Sequence, residues 1–246
     1  MLSKDNGRYI EETVRSVLSQ TYQNWEVIFM DDSSKDDTIS QMMDYVRDRR
    51  IKVLQNVKSK GAWASMGSAL RDARGKWIAF LNVGDVWEPA KLEKQLAFME
   101  ENGYHFSYHK TRRMDRESRP VGGVLSGKMH ITHEDMMKCC WPAYLTVMYD
   151  AEKVGRIKTI NQKQENDYAL WLQVAYSADC HLLDECLSRH RANKWFYNRF
   201  PIGHNILWRY EVYRKIEYLN PFVSAMYTLR NLWYGLMKKV KYVERG

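Results

Sequence analysis

The sequence predicts an α/β fold, a mostly parallel sheet flanked by helices and followed by a helical extension. Three observations carry that expectation. Through the first half, apolar runs of strand length alternate with segments whose apolar residues recur at helical spacing. Two of those runs, Trp25–Met30 and Trp77–Leu81, end in the acidic stretches Asp31-Asp32 and Asn82-Val83-Gly84-Asp85. The last forty or so residues then change character, mixing aromatic and basic side chains at helical spacing. In open α/β sheets, ligands bind beyond the carboxyl ends of the strands, so the two acidic strand ends should converge on one crevice.

Each element has its own signal. Ile10, Val14, Val17 and Leu18 give a helix across 10–21, and the strand 25–30 follows. Ser33, Ser34 and Asp37 can cap a helix from about Thr38 to Arg50, with a short strand at Ile51–Leu54. For Asp31, Asp36 and Asp37, loop and cap chemistry is the favoured reading. A helix across Ala64–Ala73 stops at Arg74-Gly75, before the strand Trp77–Leu81. After Pro89, Leu92, Leu96 and Met99 mark a helix over 91–101, and Tyr104–His109 alternates as a strand. Residues 111–135 are rich in Arg, Gly and Ser and read as loop with short strands. Tyr144–Tyr149 reads as a strand, Tyr168–Ser177 as a helix and Cys186–Arg191 as a short strand. No internal repeat is present.

A chain of 246 residues, 45% hydrophobic and 28% charged, is ordinary for a globular protein. The net charge of +8 is uneven: residues 201–246 hold eight Lys or Arg against three Glu, five of the eight net charges. RNP-like aromatic, zinc-knuckle and helix-turn-helix patterns are all lacking, so nucleic acid is not the expected partner. Cys139, Cys140, Cys180 and Cys186 lack metal-ligand spacing and read as reduced thiols. The polar start reads as no signal peptide. Tyr218–Met237 contains Asn220, Pro221, Arg230 and Asn231, too polar for a membrane span.

The chemistry is suggested by Gln164-Glu165-Asn166-Asp167-Tyr168-Ala169-Leu170-Trp171-Leu172, a carboxylate pair opening an apolar helix. A carboxylate at a helix start can be held rigidly, as a general base must be, although it can also simply favour the helix dipole. Together with Tyr9–Val14, Ser16–Tyr22, Asp31–Ser34 and Trp77–Leu92, the segment resembles family 2 inverting glycosyltransferases of the GT-A (nucleotide-diphospho-sugar transferase) fold. The stretches 145–148, 167–172 and 212–215 resemble in particular the teichuronic-acid-type transferases that build bacterial surface polysaccharides.

That resemblance implies a GT-A domain over residues 1–200 and a basic, aromatic extension over 201–246. It implies a nucleotide-sugar donor, most often a UDP-sugar, and a lipid-linked or saccharide acceptor. Asp167 matches the catalytic base, and Asp32 the contact to the nucleotide base. Ser3, Asp85, Arg189, His190 and Arg191 are the remaining donor-binding candidates, with Asp85 also the ligand of a divalent Mg²⁺ or Mn²⁺. For Arg189-His190-Arg191 a solvated charge run is the competing reading. The extension combines Trp208, Tyr210, Phe222 and Trp233 with Arg209, Arg214 and Lys238–Lys241, a mixture suited to an anionic membrane surface. The expected location is cytoplasmic and peripheral on the inner face of the membrane; the competing reading has the extension capping the catalytic domain.

The chain also departs from the family pattern. Asn82 and Gly84 replace two acids of the usual Asp-Ala-Asp-Asp, leaving Asp85 alone. Met66 stands where a family arginine is expected, and Lys4 where an aromatic often stacks on the base. The apolar strand expected just before Ser3 is missing. These departures keep a second reading open, a catalytically silent nucleotide-sugar-binding module. A dinucleotide oxidoreductase is disfavoured because no GxGxxG follows an early strand.

Overall fold

The computed structural model describes residues 1–155, 157, 167–191 and 202–244. Its first layer is a parallel sheet of β1 (Leu2–Ser3), β2 (Val27–Asp31) and β3 (Ile51–Gln55), in the order 1-2-3. Between the strands run α1 (Ile10–Leu18) and α2 (Thr38–Met43). The strand absent from the sequence pattern is therefore present as a two-residue stub, with Leu2 opposite Met30 and Ser3 opposite Asp31. Leu2 also donates to Leu81 O (3.2 Å) and accepts from Val83 N (3.0 Å), so the stub joins this sheet to the next. Behind it lies a cavity of about 630 Å³ between Val27-Ile28 and Trp77–Phe80. The Met1 ammonium donates to Ile28 O (2.9 Å) and lines that cavity, where burial pushes its pKa down to about 5.

The second layer starts with α3 (Ala62–Asp72), β4 (Trp77–Ala79), β5 (Val86–Trp87), α4 (Lys91–Asn102) and β6 (Phe106–Met114). It continues through β7 (Pro120–Leu125), β8 (His130–Ile131), α5 (His133–Lys138), β9 (Met148–Asp150) and α6 (Ala151–Val154). Then come α7 (Asp167–Ala175), β10 (Cys180–Arg191), α8 (Ile202–Lys215), α9 (Pro221–Lys241) and β11 (Val243–Glu244). The sheet runs β11-β7-β6-β10-β5, with β9 bridging β4 to β6 and β8 on β10. Its centre is the parallel pair β6 and β10, but its other named pairings are antiparallel, so the architecture is mixed where a mostly parallel sheet was expected. The cysteines are free.

Several elements differ from expectation, among them β4, which stops at Ala79, and α5, which lies in a stretch read mostly as loop. The helix expected to reach Arg50 ends at Met43, because the chain turns at Asp48, whose carboxylate accepts from the backbone and guanidinium of Arg50. Residues 144–146 form a 3₁₀ turn ahead of β9, closed by Thr146 Oγ1 on Ala143 O (2.6 Å). β6 runs five residues past His109, with Arg112 and Arg113 turned outward. β10 spans 12 residues, its apolar rhythm interrupted by Asp184-Glu185 where the register slips against β6.

The expected boundary near residue 200 does not separate two cores. Val212, Tyr213 and Ile216 of α8 are buried in the same cluster as Trp171 and Phe106. β11 pairs with β7, Val243 opposite Leu125. The C-terminal segment therefore caps the catalytic layers with one face.

Candidate active site

Asp31 and Asp32 leave the end of β2 for different tasks. Asp31 is fully buried and closes a local turn, its Oδ2 accepting from Ser34 N (2.9 Å) and its Oδ1 from Ser34 Oγ. Asp32 reaches across to the segment leading into α3. Its Oδ1 accepts from Asn56 Nδ2 (2.9 Å), Lys60 N (2.8 Å) and Ser65 Oγ (3.0 Å), and its Oδ2 from Ser59 Oγ (2.6 Å) and Gly61 N (3.0 Å). Burial alone would raise its pKa, but the bonds from Ser59, Lys60, Asn56 and Ser65 outweigh that and hold it at about 2. A nucleotide base could reach this carboxylate only by displacing or sharing those donors. Lys4 Nζ sits 3.7 Å from Asp32 Oδ2 and donates to Ser59 Oγ (2.6 Å), a polar position where an aromatic platform would be needed to stack a base. Ser3 is buried beside Asp32, whose N donates to Ser3 O (3.0 Å), and its hydroxyl has no hydrogen-bond partner among the described residues.

Asp85 is held by a separate scaffold. Buried Thr13 of α1 donates to Asp85 O (3.0 Å) and accepts from Gly84 N (3.0 Å), while Gly84 sits at φ +106°. That positive φ suits glycine and explains why the family's acid is absent there more simply than altered chemistry does. Asp85 Oδ1 accepts from His190 Nδ1 (3.0 Å) and Arg191 N (2.9 Å), and Oδ2 has no hydrogen-bond partner among the described residues. Burial opposes a charge on His190, yet Asp85 outweighs it and lifts the pKa above the ordinary histidine value, with a smaller push from Asp167.

Arg191, a donor-binding candidate, is buried against Gly84 and Asp85. Its guanidinium spends all five N–H groups inside the protein: Nε on Gly84 O (2.8 Å), Nη1 on Asp115 O (2.7 Å) and Arg116 O (3.0 Å), Nη2 on Ser118 Oγ (2.9 Å) and Glu12. No N–H is left for a diphosphate, so Arg191 builds the floor beneath Gly84 and Asp85. Arg189 Nε is paired with Glu88 Oε1 (3.0 Å) and remains partly exposed.

Asp167 is the first residue of α7 and is exposed, while the following Tyr168–Leu172 are buried. Its charge acts on three neighbours: together with burial it raises the pKa of Tyr144 and Cys140, and it supports the protonated form of His190. Tyr144 senses both Asp167 and Asp85. The charges of Asp85 and Asp167 thus both act on Tyr144 and His190, while Ser3 and Asp32 lie at the ends of β1 and β2. Gln164, Glu165 and Asn166 lie outside the described residues.

Sequence reasoning missed Thr13, Glu12, Gln20 and Tyr144. Gln20 is buried and ties α1 to the β5–α4 turn, Nε2 to Glu88 O (2.8 Å) and Oε1 from Leu92 N (2.9 Å). A signal existed for Thr13, Ser16 and Gln20, since three polar residues sit on the apolar side of an amphipathic helix. Among the described residues, no group of three or more His, Cys, Asp or Glu side chains could cage a metal ion. Asp85 Oδ2 can still offer the single carboxylate oxygen that Mg²⁺ commonly takes alongside substrate phosphates.

Comparison with known proteins identifies the family and the fold. The Glycosyl transferase family 2 model matches residues 3–143. The chain is 35% identical over 196 residues to the putative teichuronic acid biosynthesis glycosyltransferase TuaG of Bacillus subtilis, covering 76% of this chain and 78% of that protein. It is 38% identical over 165 residues to the Escherichia coli UDP-Glc:alpha-D-GlcNAc-diphosphoundecaprenol beta-1,3-glucosyltransferase WfaP, covering 67% of this chain and 64% of that one. Among solved structures, S. aureus TarS 1-349 in complex with UDP-GlcNAc aligns at a TM-score of 0.73 and 19% identity, over 94% of this chain and 70% of that chain. The Pyrobaculum calidifontis mannosyltransferase PcManGT with GDP-Man and Mn²⁺ aligns at 0.62 and 14%, over 97% and 71%. At those identities the two structures speak for the fold alone.

Proposed function

Within glycosyl transferase family 2, to which this chain belongs, we propose that it moves one sugar from a UDP-sugar to a lipid-linked or saccharide acceptor with inversion, using Asp167 as general base. The chain is a glycosyltransferase on a GT-A fold. The observation that supports the residue assignment is the place of Asp167, exposed at the first position of the otherwise buried α7, with its charge acting on Tyr144 and His190. An acceptor hydroxyl is a weak nucleophile until a base takes its proton, and an exposed carboxylate on a rigid helix end can do so. As the oxygen bonds to the anomeric carbon from one side, the bond to the diphosphate breaks on the other, which inverts the configuration.

The leaving diphosphate gains negative charge, and His190, whose charged form Asp85 favours, is the side chain we assign to meet it. A divalent Mg²⁺ or Mn²⁺, held by Asp85 Oδ2 and the donor's own phosphate oxygens, would supply further charge neutralisation. Ser3, with its unpartnered buried hydroxyl, and Asp32 are assigned to the nucleoside end, Asp32 engaging the base once the Ser59–Gly61 segment gives way. The acceptor assignment is supported by WfaP, whose name specifies a diphosphoundecaprenol-linked sugar.

Peripheral attachment to the inner face of an anionic membrane accompanies this reading. Among the described residues no helix is long and apolar enough to cross a membrane. Phe222, Met226, Leu229, Trp233, Leu236 and Val240 are exposed along one side of α9, a stripe of about 27 Å at 1.5 Å per residue. Arg214, Lys215, Arg230 and Lys241 supply nearby cations for acidic headgroups.

The deciding experiment compares wild type with Asp167→Asn. Turnover is expected to fall roughly 10²–10⁴-fold with UDP-sugar affinity, read by thermal shift, unchanged. Full turnover in the variant removes Asp167 as base. Donor binding without turnover in wild type, over a broad acceptor panel, would favour the silent-module reading that Asn82 and Gly84 motivate.

A further inference from the structure

We infer that Asn231, Tyr213 and Arg209, all on the C-terminal helices, are positioning residues that fix the first turn of α7 and so aim Asp167. The inference rests on Asp167 being the base.

Tyr168 follows Asp167 directly in the chain and is 2% exposed. Its hydroxyl lies 2.9 Å from Met137 O, 2.8 Å from the Tyr213 hydroxyl and 3.0 Å from Asn231 Nδ2. The Tyr213 hydroxyl donates to Met137 O (2.5 Å) and accepts from Asn231 Nδ2 (3.1 Å). Met137 O has two lone pairs and can accept from both hydroxyls, the bond between the two tyrosines can run either way, and the two protons of Asn231 Nδ2 go one to each tyrosine. The amide orientation is not arbitrary. Arg209 Nη1 donates to Asn231 Oδ1 (2.6 Å), so the amide oxygen faces the cation and the nitrogen must face the tyrosines. Burial keeps both phenols protonated, Tyr213 being pushed up to about 12. The network thus ties together α5, α7, α8 and α9.

Packing alone would not demand it. Phenylalanine and leucine would fill the same space without the cost of burying two hydroxyls, an amide and a guanidinium. What the polar network adds is direction. The rest of α7 is apolar on nearly every side, with Ala169, Leu170, Trp171, Leu172 and Val174 all buried. An apolar helix can slide or rotate by a fraction of an ångström at small cost, whereas hydrogen bonds of fixed length and angle resist that motion. A base misplaced by about 1 Å can lose on the order of 10²-fold in rate. Of the three helices that reach the tyrosine at the start of α7, two belong to the segment that sequence reading left outside the catalytic domain.

Asn231→Leu, Tyr213→Phe and Arg209→Met test this in the full chain, each alone and each combined with Asp167→Asn. The single variants should fold, keep the KM for UDP-sugar and lose roughly tenfold to a hundredfold in kcat. In the Asp167→Asn background the same changes should cause no further loss, because a residue acting through Asp167 has nothing left to position. Hydrogen exchange supplies a readout without turnover: amides of 168–171 should exchange faster in the variants while those of β6 stay protected. If Asp167→Asn is inactive yet Asn231→Leu and Tyr213→Phe keep wild-type kcat and exchange, the inference is overturned. A further loss in the double variants overturns it too, by showing a general structural role. An active Asp167→Asn would instead defeat the assignment of the base. If Asn231→Leu fails to fold, Arg209→Met at the edge of the network decides.

Discussion

Lys91 shows how a single residue can oppose the fold that contains it. It is fully buried at the first position of α4, where the helix dipole disfavours a cation, and its Nζ has no hydrogen-bond partner among the described residues. The amine lies 4.0 Å from the Trp87 ring centroid, close to His109, whose Nε2 likewise lacks a partner among them. Burial lowers the pKa of Lys91 from 10.5 to about 7. The unfolded chain therefore binds more protons than the folded one between about pH 7 and 10.5, and stability from this residue rises with pH across that window. Lys91→Met should raise the melting temperature at pH 7, where nearly the full cost of on the order of a few kcal/mol is present, and raise it less at pH 10. Equal gains at both pH values would refute this account. At the same scale, Asp85 and Asp167 were legible because each stands at an element's end, where a ligand-facing side chain is expected. The five donors on Asp32 and the five acceptors of Arg191 were not legible. Their partners are loop residues and backbone carbonyls tens of positions away, brought near only by the assembled sheet.

Among the elements, β1 connects sequence pattern to packing most directly. The apolar alternation that identified the other strands had only Leu2 to work with, so the sequence read as lacking the strand, yet two residues suffice to set the register with β2. Beside β1 lies the cavity of about 630 Å³, walled by Val27, Ile28, Trp77, Ala79 and Phe80, with Met1 at its edge. Along that gap β2 and β4 have no ladder partner, since β2 pairs with β3 on its other side and β4 with β9. An added Val-Ile-Val-Val ahead of Met1 should run into the gap parallel to β2, remove the buried charge and cover apolar wall. The melting temperature is expected to rise by several degrees, with slower exchange at the amides of 77–79. An extension that stays protease-sensitive and leaves stability unchanged would show that the cavity does not accept a strand. β10 was only half legible for a related reason: Asp184 and Glu185 break its apolar run at the register slip, and single-strand periodicity cannot see past an irregularity.

At the scale of the whole molecule, the C-terminal segment belongs to two environments. Sequence composition left its aromatics and cations between a membrane-facing surface and a cap on the catalytic domain, because a helical stretch apolar on two sides has no period that says which side meets protein. The structure divides them. Tyr213, Ser224, Thr228 and Asn231 are buried against the catalytic layers, while Phe222, Leu229, Trp233 and Val240 point outward. Two experiments should therefore give opposite results. Deleting 202–246 should unfold the chain or leave an expanded, dye-binding state, since it strips Val212, Tyr213 and Ile216 from the core and exposes the edge of β7. Phe222→Ser combined with Trp233→Ser changes only the outer face, so the fold and turnover on a soluble acceptor analogue should persist. Sedimentation with phosphatidylglycerol vesicles should then fall at least tenfold, and raised salt should weaken binding of the unaltered chain. If the double variant still sediments, α9 is not the lipid contact. If the deletion stays folded and cooperative, residues 1–200 are an independent domain and the stripe serves a detachable anchor.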